Sequence, residues 1–221
     1  MGLRIHPTPP ALALIHACTL GDVTEVLRLL VEERADVNTQ TSSGSTPAHI
    51  ATTMGYEALL EELIKHGADL DARENPEAGG YTPLHHAVER GNTVIAGLLL
   101  KHEADPNVAE ATLKFTPLHL AARAGDNAMA ALLLDQGAGI EPEQRDRHGQ
   151  NASHWAHQLG HTDVLAVSGM PAPVSWTAEE RMAAIREEAA KMTAGAPAKA
   201  SKGGKKKKGG KKKKGGKKKK K

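Results

Sequence analysis

Apolar side chains recur through this chain at i, i+3, i+4 and i+7, the spacing of one buried helix face. The stripe reads Val23, Val26, Leu27 and Leu30; then Leu59, Leu60, Leu63 and Ile64; then Ile95, Leu98 and Leu99; then Met129, Leu132 and Leu133. A helix is predicted at each. Every stripe follows a glycine (Gly21, Gly55, Gly91, Gly125), and Gly160 marks one more such boundary. Glycine supplies the positive φ that ends a preceding helix. Ahead of the last four glycines stand small residues, Ala51, Ala87, Ala121 with Ala122, and Ala156, which let helices approach closely. The pattern predicts helix pairs, the first of each pair small-faced and the second striped.

A tetrad opens most of the first helices. Thr46-Pro47-Ala48-His49, Thr82-Pro83-Leu84-His85 and Thr116-Pro117-Leu118-His119 recur, with a worn copy at Asn151-Ala152-Ser153-His154; their first residues lie 36, 34 and 35 positions apart. Thr can cap a helix N-terminus, and Pro at the first helical position loses no hydrogen bond that it needed. Leu enters the core. This period and this tetrad resemble the ankyrin repeat, whose signature is Thr-Pro-Leu-His-x-Ala at about 33 residues. The segments Arg34–Asn38, Gly67–Leu70, Glu103–Asn107 and Gly137–Ile140 resemble the Gly-Ala-Asp-Val-Asn stretch that leads into an ankyrin finger loop. The resemblance implies that each tetrad histidine hydrogen-bonds loop backbone and helps to fix neighbouring repeats. The expected fold is all-α, a solenoid of helix-turn-helix pairs with finger loops.

Aligning Gly21-Asp22 with Gly125-Asp126 places Ile15-His16-Ala17-Cys18 where His119-Leu120-Ala121-Ala122 stands, so the first unit lacks its tetrad. End repeats are atypical because one face meets water. The expected organisation is an N-terminal extension over 1–10, then a repeat domain over 11–168. Its units are about 11–39, 40–74, 75–109, 110–145 and 146–168. A linker with an amphipathic helix follows over 169–193, and a disordered Lys/Gly tail over 194–221. The second finger, Asn75 to Gly80, is expected to project further than its neighbours, and Lys114 stands where the third finger's turn calls for glycine.

No run approaches 18 apolar residues, so no membrane span is expected. The start, Met1 to Pro10, lacks a basic region followed by an apolar stretch, which speaks against secretion. The lone cysteine, Cys18, suits a reducing compartment, and its alanine-like helix position predicts a buried structural thiol. The expected location is intracellular: cytoplasmic, nuclear, or cytoskeletal and ciliary.

Charge divides the chain sharply. Taking the 14 tail lysines from 29 basic residues leaves 15, against 26 acidic groups, so residues 1–200 carry −11. The tail lysines are Lys202, Lys205, Lys206, Lys207, Lys208, Lys211, Lys212, Lys213, Lys214, Lys217, Lys218, Lys219, Lys220 and Lys221. Like-charge repulsion and glycine's chain entropy oppose packing there. The tail has no arginine for bidentate contacts and no aromatic for stacking, so it would read the charge density of a polyanion rather than sequence. Ahead of it, Thr177 to Glu180 matches a capping box, and Met182, Ile185, Ala189 and Met192 give a narrow apolar stripe with Trp176 as anchor.

The family resemblance places protein partners on the concave side, along the fingers and the exposed face of the first helices. The corresponding positions are Ser45, Ile50, Thr53 and Met54; Tyr81, His86, Glu89 and Arg90; Phe115, Leu120, Arg123 and Ala124; Gln150, Trp155, Gln158 and Leu159. Of these, Tyr81, His86, Glu89, Arg90, Phe115, Leu120, Arg123, Trp155 and Gln158 are the candidate partner-binding residues, aromatic and Arg side chains being typical anchors. The competing reading of the rings is that they pack between fingers. His154, His157 and His161 lie at i, i+3 and i+7, but Gly160 should break the helix before His161, so no metal site is expected. No phosphate loop, Cys-x-x-Cys pair or nucleophile elbow appears. No catalytic residue, cofactor or small-molecule substrate is expected. Asn38 and Asn107 resemble ankyrin asparagines that are hydroxylated. The chain reads as a protein-binding adaptor tethered by its tail to an anionic surface. The alternatives are a nucleus-associated regulator whose tail serves import and phosphate contact, and a cytoskeletal or flagellar component gripping acidic tubulin tails.

Overall fold

The computed structural model describes residues 10–171, together with Arg186. Residues 10–171 fall in the first of two units into which the chain divides, Met1–Arg181, the second being Met182–Lys221. The expected helix near 177–192, Trp176 and the tail lysines lie outside the described residues.

Within residues 10–171, ten α-helices follow one another in pairs: α1 (Pro10–Leu20) with α2 (Val23–Val31), α3 (Pro47–Met54) with α4 (Glu57–Lys65), α5 (Pro83–Glu89) with α6 (Thr93–Lys101), α7 (Pro117–Ala124) with α8 (Asn127–Gln136), and α9 (Ala152–Leu159) with α10 (Thr162–Leu165). No strand occurs among the described residues. The first helices touch neighbour to neighbour along the whole row α1, α3, α5, α7, α9, whereas contact between second helices is sparser. The row of first helices is therefore the inner, concave side of a solenoid.

The core is one continuous cluster running from Leu14 to Val164. In α6 it takes Ile95, Ala96, Leu99 and Leu100, while Leu98 is only partly buried. The expected stripe was thus rotated by one position, as it was in α2, where Val26, Leu29 and Leu30 are buried and Leu27 is not. The α6 segment is apolar nearly all round, so spacing alone does not phase it. Asp22, Asn92 and Asp126 cap α2, α6 and α8 by accepting a backbone N–H three residues on, at 2.9–3.1 Å.

Two inter-helix glycines have a second role. A Cβ on Gly21 would lie 2.9 Å from the Tyr56 ring, and one on Gly125 would lie 2.7 Å from the His161 ring. The missing side chain is where the next unit seats its ring, and the His161 Nε2 also reaches the Arg123 carbonyl at 3.2 Å. Gly160 ends α9 in the left-handed region, so the helix stops before His161, as expected.

Every finger closes by one rule. The backbone N–H of Thr41, Glu74, Glu110 and Asp146 donates to the carbonyl of Ser45, Tyr81, Phe115 and Gln150, the residue before each tetrad. Successive fingers are then tied by backbone bonds from Asn75 to Ser43, Ala111 to Gly79 and Arg147 to Leu113, at 2.8–2.9 Å. The second finger carries an extra 3₁₀ turn, Pro76–Ala78, consistent with its greater length. Lys114 adopts φ +63°, the conformation of Gly44, Gly80 and Gly149 in the other fingers, so the turn keeps its geometry without glycine. A left-handed non-glycine residue costs about 1–2 kcal/mol.

Candidate protein-binding face

The tetrads settle which atoms are free to meet a partner. Thr46, Thr82 and Thr116 cap α3, α5 and α7 in a reciprocal box with the histidine three residues on. The ring Nδ1 of His49, His85 and His119 receives the threonine backbone N–H at 3.1, 3.2 and 3.3 Å. The Nε2 then lies 3.0–3.1 Å from the carbonyl of Tyr81, Phe115 and Gln150 in the next finger. A carbonyl only accepts, so Nε2 carries the proton and Nδ1 the lone pair. The neutral tautomer is dictated by its partners at both ends. Burial holds all three imidazoles below their usual pKa, His85 at about 4. These histidines are rivets between repeats, as the family resemblance implied.

The aromatic candidates divide. Phe115 is only 2% exposed, and Leu120 only 4%, so neither offers a partner an accessible side chain. Phe115 lies parallel to the His119 ring at 5.6 Å and takes the edge of Trp155 at 5.3 Å. This is the packing role, a residue before the tetrad filling the space between fingers. Tyr81 is half-buried, stacked on His85 at 5.3 Å with His86 at its edge. Burial, with Glu89 and Glu110 adding to it, raises the Tyr81 hydroxyl above its ordinary pKa. Trp155 is partly exposed, and its indole N–H donates to Asp146 Oδ2 at 2.7 Å. His86 faces the Glu74 carboxylate at 3.2 Å, and Glu74 also accepts from the Ser45 hydroxyl.

Glu89, Arg90, Arg123 and Gln158 are exposed. They belong to two columns of equivalent positions at the C-terminal ends of the first helices. The column just before each glycine is Leu20, Met54, Arg90, Ala124 and Leu159; its neighbour is Thr19, Thr53, Glu89, Arg123 and Gln158. Leu20, Met54 and Leu159 are 66%, 52% and 49% exposed, unusually open for large apolar side chains. Arg123 sits with its guanidinium carbon 5.3 Å from the centre of the Phe115 ring, within cation–π range.

Several residues that build this face carried no obvious sign in the chain. Glu110 is buried, its carboxylate accepting the backbone N–H groups of Thr112, Leu113 and Phe115. Burial pushes that carboxyl up, but the three donors outweigh it and leave its pKa below the ordinary range. In the last finger the Asp146 carboxylate likewise accepts backbone N–H groups, those of His148 and Gln150. The one available signal was an acid five to eight residues ahead of three tetrads.

At the opposite edge, Asn38 donates to the Gly67 carbonyl and accepts from Asp69 N–H at 2.8 Å. Asn107 repeats this with Gly139 and Glu141 at 2.9 and 2.7 Å. Both amides bridge successive units. Cys18 is fully buried, and burial pushes its thiol up to about 12, the inert state expected of a packing residue. Among the described residues no group of three or more His, Cys, Asp or Glu side chains could hold a metal ion, and no helix is long and apolar enough to cross a membrane.

Helix pairs joined by bonded fingers and riveted by tetrad histidines meet an independent match: the family model for ankyrin repeats (3 copies) fits residues 14–110 and 109–167. The chain belongs to the ankyrin-repeat family. Similar proteins share only stretches of it. Protein phosphatase 1 regulatory subunit 27 of Homo sapiens and of Mus musculus is 41% identical over 68 residues, 31% of this chain and 43% of the relative. Ankyrin repeat domain-containing protein 49 of Bos taurus is 40% identical over 63 residues, 28% of this chain and 26% of the relative. The chain thus spans less than half the length of these relatives.

Proposed function

We propose that this ankyrin-repeat protein is a non-catalytic adaptor that binds a protein partner across the inner row of first helices. The lysines of residues 202–221 then tether it to an anionic surface. The supporting observation is the contrast on that row. The polar atoms of the three Thr-Pro-x-His tetrads are committed to internal bonds, while the columns Leu20 to Leu159 and Thr19 to Gln158 mix apolar with charged groups and are mostly open. Exposed large apolar side chains grouped on one surface mark interaction sites. The mammalian relatives named as phosphatase regulatory subunits fit a role exercised on another protein. An intracellular setting fits the single buried thiol.

Quantitative pull-down with the Met54→Asp, Leu159→Asp double variant tests the face. Both sites are exposed, so the variant is expected to remain folded by circular dichroism and to lose the partners held by the parent. Full retention of those partners would remove the inner row as the site. Deleting residues 194–221 is expected to abolish binding to tubulin, anionic lipid or nucleic acid and to leave partner capture unchanged. Localising the tagged protein with and without that segment decides among nucleus, cytoskeleton and cytoplasm.

A further inference from the structure

We infer that the partner segment received on this face presents a single carboxylate, flanked by apolar side chains, to the guanidinium of Arg123, with Arg90 on the preceding first helix adding to the positive charge. The inference rests on the binding face proposed above and adds the chemistry of what it receives. Arg123 is exposed yet held. Its guanidinium carbon lies over the Phe115 ring, 5.3 Å from the ring centre, and that ring is itself clamped by His119 and Trp155. The Phe115 backbone is fixed as well, its N–H given to Glu110 and its carbonyl taken by His85 and by the Glu110 N–H. Such a cation–π contact supplies no hydrogen-bond acceptor, so the planar N–H fork that matches a carboxylate is still unsatisfied by it. A group already immobilised loses less entropy on binding.

Among the described residues, neither Arg123 nor Arg90 has a carboxylate within 4 Å, whereas Arg28 has Glu25 and Glu33 at 2.7 and 2.8 Å. Two exposed arginines stand at the ends of successive first helices, α5 and α7, on a body whose net charge is −11 over residues 1–200. The positive charge of the two guanidinium groups disfavours the lysine tail as occupant of this spot. Glu89, exposed beside Arg90, would repel a second acid and so selects against an acidic tract. Apolar ground lies on either side along the row, Leu20 and Met54 before, Ala124 and Leu159 after.

A phage library of random dodecapeptides, panned on the full chain at physiological salt, tests this. Selected peptides are then titrated by fluorescence anisotropy against the parent, Arg123→Gln, Arg90→Gln and the Met54→Asp, Leu159→Asp double variant. The expected binders carry one Asp or Glu among apolar residues. They should weaken about tenfold or more with Arg123→Gln, the range of a hot-spot residue, and less with Arg90→Gln. Binding should be lost in the double variant and persist under excess polyglutamate, which saturates the lysine tail. Binders that lack an acid, or that ignore both arginine changes while failing on the double variant, would overturn the carboxylate and leave the face standing. Binders indifferent to all the substitutions would overturn both. Displacement by polyglutamate would assign the acid to the tail or admit an acidic tract, and either overturns the inference.

Discussion

The tetrads of the third and fifth units occupy the same place in their repeats and meet opposite surroundings. In the third, His85 is fully buried between its own Thr82 and the Phe115 carbonyl of the following finger, 3.2 and 3.1 Å away. In the fifth, Asn151 Oδ1 caps α9 by accepting the His154 N–H at 3.0 Å. The His154 ring is only partly buried and has no hydrogen-bond partner among the described residues. Ser153, where other units have Leu84 or Leu118, is buried with its hydroxyl unpaired. The tetrad histidine is thus a connector to the next finger, and where the described array has no further finger only the capping function is kept. Asn caps as well as Thr does, which is why this copy is worn in the way it is.

That comparison breaks most visibly at the histidines themselves. His85→Ala removes the acceptor of the buried Thr82 backbone N–H, leaves the Phe115 carbonyl with its Glu110 bond alone and opens a cavity beside Tyr81, and is expected to cost about 3 kcal/mol or more in urea unfolding. His154→Ala is expected to cost less than about 0.5 kcal/mol, as for an ordinary surface change. Equal costs would show that the tetrad histidine is not a connector.

The pH dependence comes next in size. His49, His85 and His119 are held neutral by burial, so the unfolded chain binds protons first as pH falls below about 6.5. Stability present above that pH is lost progressively toward about 4, where folded His85 titrates. His85 alone then accounts for about 3 kcal/mol. Glu110, with its lowered pKa, adds a further loss below the ordinary carboxylate range. Unfolding midpoints that stay level between pH 6.5 and 4 would contradict the rivet geometry.

Smaller effects sharpen the boundaries between units. Gly125→Ala forces a side chain to φ +74° and into the His161 ring, and is expected to cost about 1–2 kcal/mol before any clash. Lys114→Gly relieves the same conformation in the third finger, at φ +63°, and is expected to raise stability by up to about 1 kcal/mol. Thermal melts of the two variants should move in opposite directions.

The repeat pitch, the glycine boundaries and the capping tetrads were legible because each rests on local backbone chemistry. The burial of Phe115 and Leu120 was not. Their positions in the repeat are variable, and whether a ring there faces a partner or a neighbouring finger depends on the next unit's Trp155. The phase of α6 was hidden because Val94 to Leu100 is apolar on nearly every side. Glu110 was invisible for a different reason: a charged residue looks like surface until the backbone donors that enclose it are in place.

Hydrogen–deuterium exchange on the full chain, with and without a selected dodecapeptide, tests the inner row most directly. Protection is expected in segments covering the ends of α3, α5, α7 and α9, from Thr53, Glu89, Arg123 and Gln158 through the glycine that follows each. Protection confined to α4, α6 and α8, or to the residues beyond 194, would contradict the assignment of the partner to the first helices.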